Sequence, residues 1–256
     1  MRLDTPVRAV GLSAIVIASA IATSASAATM SINASAASGN YGANATFLFD
    51  DAANTLKVTL QNTGSTAAAQ PWLDALFFNL TRNGNAVTSA LTIGASDVAI
   101  AAGSTAVWKA GVANGSLVNY GGSAIPAGLW GYKSNVFGYA QGLSCTGGSG
   151  VFGSNTKING ASGSLGGDDG GLLTSAQTSV PGHQNDVFYR DALCFTFHLA
   201  DFDLDVDQFA VTDGKFAWGS AFQEQLTFTI VPLPAPALMA SIGLLAVAAL
   251  RRRQKA

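Results

Sequence analysis

The chain has 256 residues, of which 48% are hydrophobic and only 11% are charged, and its formal net charge is −2. Residues 1–27 and 232–256 carry six of its 13 Lys and Arg but only one of its 15 Asp and Glu, which leaves the middle of the chain at about −7. That middle part, about 200 residues long, is sufficient for one domain with its own core. Its negative charge argues against nucleic acid and anionic membrane surfaces as partners.

The first 27 residues have the layout of a secretory signal peptide. Arg2 and Arg8 make the start basic, an apolar run covers Val10–Ile21, and Ala25 and Ala27 are the small residues of a cleavage site. A stable N-terminal anchor is the alternative, but the apolar run is short and small residues follow it directly. We therefore expect cleavage after Ala27 and export of the remaining chain.

Segments of period-two alternation dominate residues 28–230 and predict β-strands. The clearest is Thr55–Gln61, where aliphatic residues alternate with Thr, Lys and Gln. Turns are predicted at Asp50–Asn54 and Asn83–Gly84, and Met30–Asn44 is expected to be a loose lead-in or a first edge strand. The other predicted strands are Ala45–Phe49, Trp72–Leu80, Ala86–Thr92, Val98–Ile100, Thr105–Lys109, a strand with Leu193, Phe195, Phe197 and Leu199 on one face, Gln208–Trp218 and Gln223–Val231.

Glycine dominates the middle of the chain. The aromatic residues of Gly128–Phe137 are expected to hold that segment on a sheet. Residues 142–182 form a glycine-rich loop region, in which Gly142–Gly171 is predicted to be a long irregular excursion with a short strand at Gly150–Phe152. No segment of residues 28–230 has helical periodicity, so the predicted fold is all-β, an antiparallel β-sandwich ectodomain over residues 28–230.

Two cysteines, Cys145 and Cys194, are separated by much of the glycine-rich region. Export exposes the chain to an oxidising compartment, where disulfides form and persist. We therefore predict a disulfide between them. The alternative is a pair of buried free thiols.

Four acids at spacing two form the most acidic segment of the chain: Asp201, Asp203, Asp205 and Asp207. Carboxylates at this spacing repel one another unless water or a cation screens them, and calcium prefers such oxygen ligands. Val206 stands where a calcium loop of the EF-hand type needs Gly, so calcium is a weak candidate. The simpler interpretation is the solvated face of an edge strand, where charge discourages aggregation. Asp168-Asp169-Gly170 is predicted to be a turn.

The sequence offers little for catalysis. His183 and His198 are the only histidines, which is too few at short spacing for a zinc site. No Gly-x-Ser-x-Gly elbow is present, Glu224 is the only glutamate, and the glycine runs lack the Lys and Ser/Thr of a phosphate loop. We expect neither an enzymatic activity nor a cofactor.

Four tryptophans and five tyrosines could stack on sugar rings if several share an exposed face. Large aromatic side chains in a sandwich more often fill the core. Trp108 and Trp130 are the better candidates for an exposed sugar-binding surface, because weakly patterned or glycine-rich sequence surrounds them.

The C-terminal tail, residues 231–256, has three parts in a fixed order. Prolines alternate through Val231–Pro236, an uncharged apolar run covers Ala237–Leu250, and the basic end 251–256 follows. An apolar helix that ends in clustered arginines is typical of a membrane segment with a cytoplasmic basic end, here at the short end for a full span. A buried core helix is the alternative, but four cations at its end argue against it.

This tail resembles the sorting tail of exosortase-dependent surface proteins of Gram-negative bacteria, the PEP-CTERM class in its Val-Pro-Leu-Pro-Ala variant. The matching residues are Val231, Pro232, Leu233, Pro234 and Ala235, followed after the apolar run by Arg251, Arg252 and Arg253. The common form has Glu where Leu233 stands. The resemblance implies that an exosortase, a membrane-embedded transpeptidase, recognises the tail of an inner-membrane precursor and cleaves near the motif.

A weaker resemblance to one group of these proteins covers about a third of the ectodomain, through Thr55–Gly64, Leu76–Leu80 and Phe216–Ser220. That group has no enzymatic activity to carry over. The expected function is therefore that of an exported, non-enzymatic protein of the cell surface or extracellular matrix, associated with exopolysaccharide in a biofilm. The alternative is a carbohydrate-binding β-sandwich module that uses exposed aromatic residues.

Overall fold

The computed structural model describes residues 29–68, 71–108, 117–119, 126–166, 169–180, 186–199 and 208–231. Within these ranges almost all regular structure is β. The strands are β1 (Thr29–Ser38), β2 (Tyr41–Asp50), β3 (Thr55–Asn62), β4 (Leu73–Arg82), β5 (Asn85–Ala86), β6 (Val98–Ile100), β7 (Thr105–Trp108), β8 (Val118–Asn119), β9 (Gly131–Val136), β10 (Tyr139–Ser144), β11 (Leu172–Leu173), β12 (Val187–Arg190), β13 (Ala192–His198), β14 (Phe209–Trp218), β15 (Glu224–Thr227) and β16 (Thr229–Val231). The helical segments are one turn of α-helix, α1 (Pro126–Leu129), and two 3₁₀ turns at Ala95–Asp97 and Gly148–Gly150.

The smaller sheet has six strands in the order β16-β1-β2-β3-β13-β6, and every neighbouring pair is antiparallel. Its strands alternate as the sequence predicts. In β3, Leu56, Val58 and Leu60 are buried while Lys57 is exposed, because successive side chains of a strand point to opposite faces of the sheet. The predicted strand at Val98–Ile100 is confirmed as β6, at the far edge of this sheet.

The larger sheet follows the order β15-β14-β4-β11-β12-β7-β8, with β10 and β5 also pairing with β4, and β9 with β10. Its central strand β4 is buried on both faces over Leu73–Phe78. One pair is parallel: Leu172 and Leu173 of β11 pair with Tyr189 and Arg190 of β12. The prediction of a purely antiparallel fold is wrong at this pair. A parallel pair needs a long connection, and residues 174–186 separate the two strands in the chain.

The two sheets share one hydrophobic cluster. It contains Phe47 and Phe195 from the smaller sheet and Phe78 and Phe216 from the larger one, and the rings of Phe47 and Phe78 lie 5.0 Å apart. Full burial of such a side chain contributes roughly 1.5–3 kcal/mol. The prediction of an all-β body is therefore confirmed by both its secondary structure and the location of its core.

A second cluster covers the opposite face of the larger sheet. Its buried members are Ala75, Phe77, Val136, Phe152, Leu165, Ala217 and Phe222. Phe77 lies near the centre, and its ring centroid is 6.2 Å from that of Phe152 and 5.3 Å from that of Phe222. The segment after β10 thus packs on this face instead of projecting into solvent.

A buried amide joins the two sheets. Asn62, at the end of β3, donates two hydrogen bonds of 2.7 Å from Nδ2 to the carbonyls of Pro71 and Leu172. Its Oδ1 accepts a third, of 3.0 Å, from the Gly64 N–H. Leu172 belongs to the larger sheet, so this side chain connects the two sheets.

Several predicted boundaries are wrong. Met30–Asn44 is not a loose lead-in, because it forms most of β1 and the start of β2; β1 is an inner strand where β16 pairs with Asn33–Ser35 and, within the described residues, an edge over Thr29–Ile32. Of the predicted strand Ala86–Thr92, only Ala86 lies in a strand, β5. The predicted strand Gln223–Val231 is divided at Phe228, which is buried; β15 pairs with β14 and β16 pairs with β1.

The glycine-rich excursion begins later than predicted. Gly142 lies in β10, paired with Phe77 and Lys133, since a residue without a side chain fits between a buried phenylalanine and Val136. The predicted strand at Gly150–Phe152 is also wrong. Gly148 and Gly150 adopt positive φ angles of 53° and 93°, which a strand does not accommodate.

Among the described residues, no helix is long and apolar enough to cross a membrane. The predicted signal peptide with Ala25 and Ala27 lies outside them. So does the tail beyond Val231, including Pro232, Leu233, Pro234, Ala235, Arg251, Arg252 and Arg253.

Candidate functional site

The C-terminal motif starts on an edge strand of the smaller sheet. β16 is antiparallel to β1 and pairs Val231 with Asn33, Ile230 with Ala34, and Thr229 with Ser35. Val231 is thus both the last residue of this strand and the first residue of the predicted sorting motif. The folded body therefore reaches the motif without a linker.

The first four of the ten residues of β1 extend beyond β16. Residues Thr29–Ile32 pair with Phe47–Asp50 of β2 on one side, and the part of the chain that the structure describes places no strand on their other side. Met30 and Ile32 are partly buried and pack against the core. These residues form an open strand edge next to Asn33, which pairs with Val231, the last residue of β16.

A second surface centres on the hairpin between β9 and β10. Phe137 lies at its tip and is 39% exposed, the one large hydrophobic side chain that the described residues expose to this extent. Its ring packs on Phe77 at 5.1 Å and on Phe222 at 5.7 Å. The Lys215 ammonium lies 5.4 Å from the Phe137 ring and 5.7 Å from the Tyr139 ring. We call Phe137, Tyr139 and Lys215 the aromatic patch.

The backbone holds Phe137 in an uncommon conformation. Phe137 and Gly138 have φ angles of 55° and 82° and connect the paired residues Val136 and Tyr139. This is a two-residue hairpin turn with both central residues at positive φ, where Asn-Gly is the favoured pair. A bulky residue at positive φ is an outlier that often marks a functional position.

Polar depressions lie on both sides of the aromatic patch. One, of about 330 Å³, is lined by Asn79, Thr88, Asn135 and Tyr139. Its amides are held in place, since Asn135 donates to the Thr88 carbonyl at 3.0 Å and Asn79 accepts from the Ala140 N–H at 2.9 Å. Asn79 also donates to Asp213 at 2.9 Å. Amides and hydroxyls fixed beside an exposed ring can bind the hydroxyl groups and the apolar face of a sugar.

The other depression is a groove of about 720 Å³ between β1 and β15. Its polar lining residues are Ser35, Asn44, Thr63, Lys215, Gln225 and Thr227. Lys215 donates to Gln225 Oε1 at 3.2 Å, so it contributes both to this groove and to the aromatic patch. Neither depression contains a cluster of acids.

Among the tryptophans whose side chains the structure describes, none lies on an exposed sugar-binding surface of the kind predicted. Trp130 is fully buried, and its Nε1 donates to the Gly170 carbonyl at 2.9 Å. Trp72 and Trp218 are also buried, and the side chain of Trp108 lies outside what the structure describes. Sequence reasoning missed Phe137 and Tyr139. The available signal was an X-Gly pair between two alternating segments, which predicts a hairpin tip and hence an exposed residue before the glycine.

The predicted disulfide is not formed, because neither Cys145 nor Cys194 is bridged. Cys145 belongs to the core between the sheets, where its Sγ lies 3.1 Å from Asp74 Oδ1. Cys194 alternates with the inward-facing Leu193 and Phe195, and its Sγ contacts Thr59 Oγ1 at 3.5 Å. The two thiols thus point to different sides of the smaller sheet, and a bridge between them would require β13 to reverse its faces.

One ionisable pair lies at the end of the smaller sheet. His198 Nε2 is 3.1 Å from Asp97 Oδ1, and Asp97 Oδ2 accepts from the Gly94 N–H at 2.8 Å. Burial raises the pKa of Asp97, but the Gly94 hydrogen bond and His198 outweigh burial, so the pKa lies below its ordinary value. This arrangement closes a 3₁₀ turn and needs no catalytic explanation.

The described residues contain no group of three or more His, Cys, Asp or Glu that could hold a metal ion. Asp201, Asp203, Asp205, Asp207, His183 and Asp168 lie outside those residues. Asp169 lies in a turn, as predicted, and accepts from the Val187 N–H at 2.7 Å. Burial raises the pKa of its carboxyl.

Comparison of the chain with protein-family models, with curated proteins and with solved structures found no match in any of the three. The functional proposals therefore depend on the residues of this chain and on their arrangement.

Proposed function

We propose that this chain is an exported, non-enzymatic protein of the cell surface or extracellular matrix, delivered through its C-terminal tail. The signal peptide directs it out of the cytoplasm, a β-sandwich body folds outside, and an exosortase processes the membrane-anchored precursor. The observation that carries this proposal is the direct continuation of β16 into the proline motif at Val231.

A further feature supports the proposal. The two sheets share one core cluster, as the sheets of a sandwich do. The described residues thus supply a folded β body whose last strand, β16, ends at the first residue of the motif.

Replacement of Pro232 and Pro234 by Ala tests the sorting step. The double variant is expected to accumulate as a precursor in the inner membrane, measured by fractionation and intact mass. Pro236→Ala, which changes a proline outside the five matched positions, is the control and should be released normally. Normal release of the double variant would rule out processing that depends on the motif.

A second function, saccharide binding by the body, is favoured by the aromatic patch. Phe137 and Tyr139 offer ring faces, and the polar depressions on both sides offer amides, hydroxyls and the Lys215 ammonium. A depression of about 330 Å³ is at the low end of typical ligand sites and suits one or two sugar units. The adjoining groove would accommodate further units of a polymer. This function is compatible with a location in an exopolysaccharide matrix.

Affinity electrophoresis in gels that contain the producing cells' own polysaccharide tests this second function. Phe137→Ser and Lys215→Met are expected to weaken the retardation of the wild type by at least about fivefold. Leu48→Ser, a partly exposed apolar position on the smaller sheet, is the control and should bind normally. An unretarded wild type would contradict saccharide binding and leave tail-dependent sorting unaffected.

A further inference from the structure

The open edge of β1 matches the proline motif of the tail in register, chemistry and length. The register depends on which residues of each strand form backbone hydrogen bonds to which neighbouring strand. Thr63 N–H donates to the Gly42 carbonyl at 2.9 Å, and Ser65 N–H donates to Asn40 at 2.7 Å. In an antiparallel ladder the hydrogen-bonded pairs alternate along the strand. Even-numbered residues of β2 therefore bond to β3, and odd-numbered residues bond to β1.

The pairing of β1 with β2 carries this alternation to the open edge. Met30 and Ile32 pair with the odd-numbered Phe49 and Phe47, so their backbone groups bond to β2. The backbone groups of the odd-numbered residues of β1 then point to the other side. At Asn33 they meet Val231 of β16. At Ser31 and Thr29 they point to the open edge.

We infer that residues Pro232–Ala235 continue β16 along this edge and dock on Thr29–Ile32. Continuation of the register opposes Leu233 to Ser31 and Ala235 to Thr29. Leu233 and Ala235 have the N–H groups that these positions need. Pro232 and Pro234 fall at the alternate positions, whose nitrogen faces away from β1. A proline lacks a backbone donor, and an edge strand tolerates it where the missing N–H would face solvent.

The pattern of inward-facing apolar side chains fits the same register. Ile230 pairs with the inward-facing Ala34 and packs against the core. In the continued strand, Pro232 and Pro234 occupy the next two inward positions, beside Ile32 and Met30. These two side chains are apolar but only partly buried, and they already pack against the core. Docking therefore covers apolar surface that the described part of the chain leaves accessible, which favours the bound state.

The length of the open edge of β1 also agrees with the length of the proline motif. The β1 strand begins at Thr29, two residues after the predicted signal cleavage at Ala27, and the motif ends at Ala235, which the register places opposite Thr29. Both predicted membrane-directed segments therefore leave the same end of the smaller sheet. Pro232 and Pro234 would also blunt the new edge, because neither offers an N–H to an incoming strand.

Docking would make the folded body a competitor of the processing enzyme for the motif. Peptide-binding proteins commonly hold an extended segment through its backbone groups, and the docked motif has these groups engaged with β1. This regulatory role rests on the proposed sorting function, whereas docking does not require it. The occupant is the chain's own segment, argued from the continuity of β16 and the length of the open edge.

Amide hydrogen exchange in the full chain, purified in detergent micelles, tests the docking. Ser31 N–H depends on the tail, whereas Ile32 N–H bonds to β2 and reports that β1 is folded. Leu233→Pro removes the donor that faces β1, and Pro234→Ala adds a donor that faces away from it. We expect Ser31 to exchange at least roughly tenfold more slowly in the wild type and in Pro234→Ala than in Leu233→Pro, because each bonded pair of residues contributes two hydrogen bonds.

Ile32 should stay equally protected in all three proteins. Equal exchange of Ser31 in the wild type and in Leu233→Pro, with Ile32 protected in both, would overturn the inference. Loss of Ile32 protection in Leu233→Pro would also contradict it, because removal of a docked tail should leave the β1–β2 pairing intact. The assay contains no processing enzyme, so its failure is distinguishable from a failure of the release experiment, which tests sorting itself.

Discussion

The side chain of Asn62 is expected to be a large single contributor to the stability of the body. It is 3% exposed, and its amide makes three hydrogen bonds that connect β3 to the Pro71 and Leu172 carbonyls and to the Gly64 N–H. Asn62→Ala removes all three. The Pro71 and Leu172 carbonyls and the Gly64 N–H then lose their hydrogen bond to this side chain.

The magnitude follows from the number of bonds. A typical intramolecular hydrogen bond contributes about 1 kcal/mol net, and a buried group left without a partner costs about 1–3 kcal/mol. Water can reach part of the space that the truncated side chain leaves, so the loss of stability should be smaller than the sum of these free energies. We predict a loss of about 3 kcal/mol for Asn62→Ala, which is a large part of the roughly 5–15 kcal/mol of a typical domain.

Urea denaturation of the purified full chain, followed by tryptophan fluorescence, measures this loss. The midpoint should fall by roughly 1–3 M with an unchanged slope, given slopes of about 1–3 kcal/mol/M. Asn44→Ala changes an exposed asparagine on the neighbouring strand β2 and is the matched control, expected within about 0.5 kcal/mol of the wild type. A loss below about 1 kcal/mol for Asn62→Ala would refute this account of how the sheets are joined.

Three further predictions concern other parts of the body. Asp97 has a lowered pKa, so its contribution is present above the unfolded pKa of about 3.9 and is lost as the pH falls through the folded pKa; the stability advantage over Asp97→Asn should shrink below about pH 4 in denaturant titrations. Gly142→Ala places a Cβ 2.4 Å from a valine methyl and should cost about 1–3 kcal/mol, whereas Gly153→Ala, with nothing within 4 Å, should not. Cys145 and Cys194 should both react with a thiol reagent in denaturant without reductant, and a chain with no reactive thiol would contradict the structure.

The strands with strict alternation could be predicted from the sequence. In Thr55–Gln61 and in the segment around Phe195, one face is buried and the other is accessible, so the period of two appears directly in the residue types. The central strand β4 was also predictable, because burial on both faces produces an apolar run.

Pairing between distant segments was not predictable from local pattern. Thr229–Val231 has the same composition whether it continues β15 or crosses to β1, and the burial of Phe228 at the crossing decides between them. The parallel pair of β11 and β12 is only two residues long. Segments this short carry no periodicity that could indicate their direction.

The candidate sites depended on which faces become covered. Trp130 lies in glycine-rich sequence that indicates exposure, yet the segment after β10 folds back and buries its neighbourhood. Phe137 is exposed because it occupies a hairpin tip, although aromatic residues are usually assigned to the core. The cysteines fail to pair because alternation in β13 turns Cys194 away from the core that contains Cys145. In each case the deciding factor is a contact between distant segments.

Intact-mass measurement of the protein recovered from outside the producing cells tests the central claim most directly. Delivery by the tail predicts a mature chain that begins near residue 28 and lacks the apolar run and basic end, residues 237–256. Secreted protein that still carries those residues would contradict the proposal that the tail serves as a delivery signal.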